Sequence, residues 1–267
     1  MGSAINGCFH KEVMMKFARF EYKGTVLLGM VKGEEITALD GSLFEGYEET
    51  KTHYRLSDIK LLPPVLPTKI VCIGRNYRGH IEEMGAEVPE EPEIFLKPPS
   101  SLIGHGDAII YPRNAERVDY EGELAVVIRD KMKDVPEDKA LEYVLGCSCF
   151  NDVTERALVK KDPSLLIVAK GFDTFSAFGP YVVTDLDPDN LEVKTYLNGK
   201  LMQHDNTNHW VFSMQHMLRY VSQCMTLYPG DIVSTGTPQG IGPMKPGDVV
   251  EVKIEGIGKL RNTVKAA

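Results

Sequence analysis

Over the first quarter of the chain, hydrophobic and polar positions alternate in short runs. Residues 17–22, 25–31 and 35–39 each follow a period of two, and Lys23-Gly24 and Lys32-Gly33 separate them, which predicts strands joined in hairpins. The run Leu61-Leu62-Pro63-Pro64-Val65-Leu66-Pro67 breaks the pattern and reads as a semi-rigid extended connector. Beyond it, residues 69–74 (KIVCIG) and 124–128 (LAVVI) are apolar without alternation, as expected of strands covered on both faces. Helical signals are short. Residues 76–85 lie between Asn76 as N-cap and Gly85 as C′ residue, and residues 154–161 form a second such segment. Residues 214–225 follow Ser213, with Met214, Met217, Leu218, Val221 and Met225 on one face, which reads as core packing. Asn198-Gly199 predicts a type I′ hairpin turn, and residues 248–254 with 259–264 predict a closing hairpin.

These elements describe a mixed α+β chain that is predominantly β. The expected division is a small N-terminal β domain over 14–62, a Pro-rich linker over 63–68 and a larger catalytic domain over 69–267. Residues 1–13 carry no periodicity and are read as an extension outside the fold.

Composition narrows the function classes. A hydrophobic content of 43% and a charged content of 25% are those of an ordinary globular protein. No apolar run approaches the roughly 20 residues of a membrane span, and no basic stretch precedes an apolar one at the N-terminus, so a cytoplasmic protein is expected. A net charge of −8 and a pI near 5.5 argue against nucleic acid or an anionic membrane as partner. Cys8, Cys72, Cys147, Cys149 and Cys224 contain no CxxC spacing and read as reduced thiols. The loop 234–243 is Gly-rich but has neither a Gly-Lys-Ser/Thr nor a GxGxxG pattern, so nucleotide binding is disfavoured.

The chemistry concentrates between residues 118 and 154. Glu121 and Glu123 sit two apart in a strand, so both carboxylates project from one face. Asp152 closes the next apolar run and can approach them. Such a set is either a solvated strand face or a site for a hard cation, and an all-oxygen ligand set suits Mg²⁺, Mn²⁺ or Ca²⁺ over Zn²⁺. On the short helix His80 and Glu83 are i and i+3 neighbours, either a surface pair or a carboxylate-supported general base on a lid hinged by Gly74 and Gly85. Lys97 ends a strand, as a ligand contact or a solvated terminus. Lys170 ends an apolar run, where a partly desolvated ammonium suits a substrate carboxylate, or else is a surface lysine. The hydroxyl of Thr237, with the amides of its loop, could cradle a carboxylate.

Read in order, GRNYRGHIEEMG, EIFLKPPSSLIGHGD, DYEGELAVVI, FNDVTER, AKGFDTF, LYPGDIVSTGTPQGIGP and the closing hairpin resemble the fumarylacetoacetate hydrolase family, from about Lys69 to Val264. The resemblance implies a β-roll or flattened-barrel catalytic domain and a homodimer. It implies a divalent cation on Glu121, Glu123 and Asp152, with His80 and Glu83 activating water and Lys170 near the substrate carboxylate. Arg75, Tyr77 and Thr237 match substrate-side positions. The likeness departs at Ala157 and Val159, where many members carry Asp and Gln, and a Trp frequent before AKGF is absent. The expected activity is metal-dependent cleavage of a C–C bond in a small anionic 2-oxo acid, by acylpyruvate hydrolysis or oxaloacetate decarboxylation, through a metal-stabilised enolate. An isomerase or tautomerase of 2-hydroxy-dienoate or oxaloacetate type is the alternative, ahead of a non-catalytic metal- and carboxylate-binding protein.

Overall fold

Strands are the dominant element, in a twelve-stranded mixed sheet, a five-stranded sheet and a three-stranded sheet, as laid out in a computed structural model that describes residues 14–267. The extension expected over 1–13, Cys8 included, lies outside the described residues. The main sheet runs Gly46–Arg55, Glu35–Ser42, Thr25–Lys32, Lys16–Tyr22, Ser176–Val183, Val144–Asp152, Gly122–Ile128, Ile232–Ser234, Ile70–Gly74, Glu93–Lys97, with Lys60–Leu62 also paired to Lys16–Tyr22 and Leu102–Ile103 to Ser176–Val183. The predominantly β, mixed α+β class expected from the sequence is the observed one. The N-terminal strands do not form a separate sheet: Lys16 and Phe17 pair with Val183 and Val182, so they prolong the sheet of the larger part. The strand Gly46–Arg55 has no counterpart among the alternating runs of the sequence. Most of its side chains are exposed, so it has no apolar face to read.

The unbroken apolar runs have a direct cause. Every residue of Gly122–Ile128 is buried, and successive side chains enter different cores. Leu124, Val126 and Ile128 join a cluster that also takes the amphipathic helix Met214–Cys224 and Val193, Val252 and Leu260 of the five-stranded sheet. Ala125 and Val127 join Phe150, Phe178, Val182 and Val65 on the opposite face. The neighbouring strand Ile70–Gly74 divides in the same way, with Val71 and Ile73 on one side and Ile70 and Cys72 on the other. A strand sandwiched like this has no water-facing side to hold polar residues. Ser213 caps the helix 214–224 by accepting from the His216 amide, and Asn198 and Gly199 take φ of 51° and 79° between Glu192–Leu197 and Lys200–Asn206, as the hairpin expectation requires.

The proline connector is packed against this body. Val65 is buried, and Asp231 anchors the segment's exit. That fully buried carboxylate accepts from the amides of Thr68, Lys69 and Tyr228 at 2.9, 3.1 and 2.8 Å, from the Thr68 hydroxyl at 2.7 Å and from Lys69 Nζ at 2.5 Å. It thereby fixes where strand 70–74 meets strand 232–234. Asp231→Ala orphans these donors and should cost about 3 kcal/mol, read as a lower urea midpoint with an unchanged m-value.

Candidate active site

Where the central strands end, the face that carries Ala125 and Val127 stops being apolar. Glu123 and Glu121 continue the same alternation, and Asp152 lies beside them because its amide donates to the Glu121 carbonyl at 2.9 Å. The three carboxylates are buried and offer oxygens within 4.8 Å of one another. The residue between the two glutamates has to be glycine, since a Cβ on Gly122 would stand 1.9 Å from Thr195 Oγ1 on the five-stranded sheet behind it. A second glycine completes the wall. Gly236 takes φ +89°, where a side chain is strained, a Cβ there would stand 3.1 Å from both Ile73 O and Asn76 Cβ, and its amide donates to Glu123 Oε2 at 3.0 Å.

Cations converge on this cluster from three elements. Lys170, at the end of helix Leu166–Lys170, donates to Glu121 Oε2 at 2.7 Å and Asp152 Oδ2 at 2.5 Å. Lys97 gives Asp152 Oδ1 a bond of 2.5 Å and the Val153 carbonyl one of 3.1 Å. Arg156 bonds Glu121 Oε1 and, at 3.2 Å, Asp119 Oδ2. Burial would raise the Asp152 carboxyl, but Lys170 and Lys97 outweigh it and hold the group below its usual range. Glu123 has no such cation. Burial first, and the Asp152 charge second, push its carboxyl up to about 8, against smaller opposing effects of Lys170, Ser234 and Gly236. The donor set therefore fits a hard divalent cation on two counts: it is all oxygen, and it holds one buried carboxylate, Glu123, to which no cation of the protein is bonded. Each bonded oxygen keeps a further lone pair for an ion.

His80 and Glu83 stand on helix Arg78–Glu83, and His80 faces the same cavity of about 400 Å³. Nδ1 lies 3.1 Å from Glu83 Oε2, and a carboxylate can only accept, so Nδ1 carries the proton and Nε2 the free lone pair. Burial lowers the imidazole below its usual 6.5, with Glu83 opposing and Arg156 and Lys170 adding to the lowering. Glu83 also accepts from the Gly240 amide at 3.1 Å, which docks the helix on the Gly-rich loop.

The structure brings His80, Glu121, Glu123, Asp152, Lys170, Arg75 and Thr237 to one cavity. It does not bring Tyr77 there. Tyr77 is fully buried in the main core, edge-on to Trp210 at 6.2 Å between centroids, because it serves as the N-terminal residue of the short helix. Asn76, expected as the cap, instead accepts from the Phe212 amide at 2.9 Å and donates to the Thr235 carbonyl at 3.0 Å. The Thr237 hydroxyl is committed, donating to Gly122 O at 3.0 Å and accepting from Gln203 Nε2 at 2.8 Å. Lys97, open between two roles on sequence alone, is a fully buried partner of Asp152. Arg156 and Gln203 are contacts that the sequence pattern does not mark by themselves. The clue to Arg156 was Asp119, which extends the Glu121, Glu123 alternation by one step to a third same-face carboxylate needing a cation. Gln203 sits on an ordinary hairpin strand and left no sign.

A family model described as fumarylacetoacetate (FAA) hydrolase C-terminal matches residues 69–265, and one described as Rv2993c-like, N-terminal, matches residues 15–64. The chain belongs to the fumarylacetoacetate hydrolase family. It is 40% identical to the rat protein named oxaloacetate tautomerase Fahd2a, mitochondrial, over 78% of this chain and 70% of that one. The solved 2-hydroxyhepta-2,4-diene-1,7-dioate isomerase from Mycobacterium marinum superposes with a TM-score of 0.88 at 37% identity, over 94% of this chain and 98% of that one. The maleylpyruvate hydrolase from Sphingobium sp. SYK-6, solved with manganese (II) and pyruvate, superposes with a TM-score of 0.80 at 28% identity, over 95% of this chain and all of the other. No helix among the described residues is long and apolar enough to cross a membrane.

An uncompensated carboxylate at Glu123 has a measurable signature. Its folded-state value lies above the ordinary 4.5, so metal-free protein should be most stable below that pH and lose stability as pH rises through about 8. Glu123→Gln should remove this loss. Addition of 1 mM MnCl₂ should raise the wild-type melting midpoint by about 3 °C or more and leave that of the variant unmoved, as read by calorimetry.

Proposed function

We propose that the chain is a divalent-metal-dependent hydrolase or lyase that breaks a C–C bond in a small 2-oxo acid, with acylpyruvate hydrolysis as the leading reaction. The observation that supports this reading is the His80–Glu83 pair, whose free Nε2 belongs to the cavity that receives the three carboxylates. Glu121, Glu123 and Asp152 would hold Mg²⁺ or Mn²⁺. A bound ion of this kind supplies positive charge that polarises the 2-keto group and favours cleavage beside it.

The chain's own residues account for the remaining steps. His80 is neutral at pH 7 because burial lowers its pKa, so Nε2 can take a proton from water as the water oxygen attacks the acyl carbonyl. The bond from that carbon to the methylene breaks, and its electron pair stays with the pyruvate fragment. The imidazolium returns the proton to the methylene carbon, so one water and one acylpyruvate become one carboxylic acid and one pyruvate. Glu83 holds the ring in the required tautomer, and its bond to Gly240 keeps the helix over the site, where it excludes bulk water. Lys170 orients the substrate carboxylate next to Glu121 and Asp152. Oxaloacetate decarboxylation needs the same cavity without the water attack.

A second reading, tautomerisation or double-bond isomerisation, draws support from relatives named oxaloacetate tautomerase and 1,7-dioate isomerase. It uses His80 only to shuttle a proton. Mn²⁺-loaded protein incubated with acylpyruvates should release pyruvate, and His80→Ala should lower kcat by about 10²–10⁴-fold while oxalate still binds. EDTA should abolish turnover. Keto–enol equilibration without pyruvate release would favour the second reading, and turnover in metal-free protein would sink both.

A further inference from the structure

The cavity walls bear on what the substrate carries beyond its reacting carbonyl. Three cations line the cavity, and each is already bonded to a carboxylate. Lys170 and Arg156 are held by Glu121, Asp152 and Asp119, as described above. Arg75 is the one that does not touch the acidic cluster. Its guanidinium is gripped in a two-pronged pair by Glu93, with Nε 2.6 Å from Oε2 and Nη2 against Oε1. The sheet enforces this pairing, because Glu93 lies opposite Gly74 in the antiparallel register of strands 70–74 and 93–97, next to Arg75 in sequence.

Each of the three is thus matched to a carboxylate, and the fully buried Lys97 behind the cavity is likewise committed to Asp152. A second carboxylate at the far end of the substrate would find no cation free and would face Glu93. The apolar lining of the cavity comes from Met84, Ile94, Phe95, Val159 and Leu166.

We propose that Glu93 is a specificity-determining residue: by occupying Arg75 it denies the cavity a receptor for a distal carboxylate and selects 2-oxo acids whose far end is uncharged and apolar. The inference rests on the reading of the cavity as a metal-assisted 2-oxo acid site. The same selection disfavours oxaloacetate, which carries a second carboxylate, and so favours the hydrolytic reading over decarboxylation or tautomerisation of that acid. An alkyl or aryl acyl group would be buried against apolar lining such as Phe95, Val159 and Leu166.

The test compares a matched pair, 2-oxohexanoate and 2-oxohexanedioate, by titration calorimetry on Mn²⁺-loaded protein, so that selectivity is read without turnover. Wild-type protein should bind the monoacid at least about tenfold more tightly. Glu93→Gln, which frees Arg75 without changing shape, should tighten the dioate by about tenfold and leave the monoacid unchanged. The double variant Glu93→Gln with Arg75→Met should lose that gain. Preference of the wild type for the dioate, or an unchanged ratio in Glu93→Gln, overturns the proposal. Binding of neither acid to the metal-loaded protein overturns the reading beneath it as well, whereas selective binding without pyruvate release leaves selectivity standing and rejects only the hydrolytic reaction.

Discussion

The crowding of negative charge at the end of a doubly covered strand governs the rest of the site. Glu121, Glu123 and Asp152 are buried and share one small space, and each would be strongly penalised there alone. The surrounding structure answers that penalty residue by residue. Lys97 and Lys170 hold Asp152, Lys170 and Arg156 hold Glu121, and Ser234 with the Gly236 amide hold Glu123. Glu123 alone has no cation bonded to it. Under the proposed function that is the carboxylate a divalent ion would match, whereas a purely structural cluster gains nothing from leaving one without a cation.

How far the sequence exposes this arrangement depends on whether a residue leaves a trace in periodicity. The strand ending in Glu-x-Glu, the helix behind Ser213 and the Asn198-Gly199 hairpin are legible because their signals are local: a period of two, a cap and a turn dipeptide. The convergence of the three carboxylates is legible from the same alternation together with the motif order. What escapes is set by long-range packing. Lys97 lies 55 positions from Asp152 in sequence, and nothing near Lys97 distinguishes a buried ammonium from a solvated strand end. Tyr77 falls in a motif that suggests substrate contact, yet its ring fills the core because the short helix begins there. Asn76 carries a capping signature, but two backbone groups from distant segments compete for its amide and win.

The N-terminal strands show the same limit at larger scale. Their hairpins are readable one at a time, whereas their annealing to strand 176–183 is a property of the folded sheet. The connector is another case. Its prolines foretell extended backbone, but its fixed position comes from Asp231, a residue more than 160 positions away. Both features bind the two regions into one hydrogen-bonded framework around the end of the central strands.

The close approach at Gly122 carries an evolutionary corollary. With Thr195 and Gln203 pressed against the back of that glycine, the spacing between the two glutamate side chains is gauged by a hairpin belonging to another sheet. If the pocket holds an ion as proposed, remodelling which ion it prefers, in nature or at the bench, would thus proceed through residues that never meet the ion. Swapping the bulk of Thr195 or the reach of Gln203 would nudge the backbone between the ligands like a shim behind a hinge, while the ligands themselves stay the same.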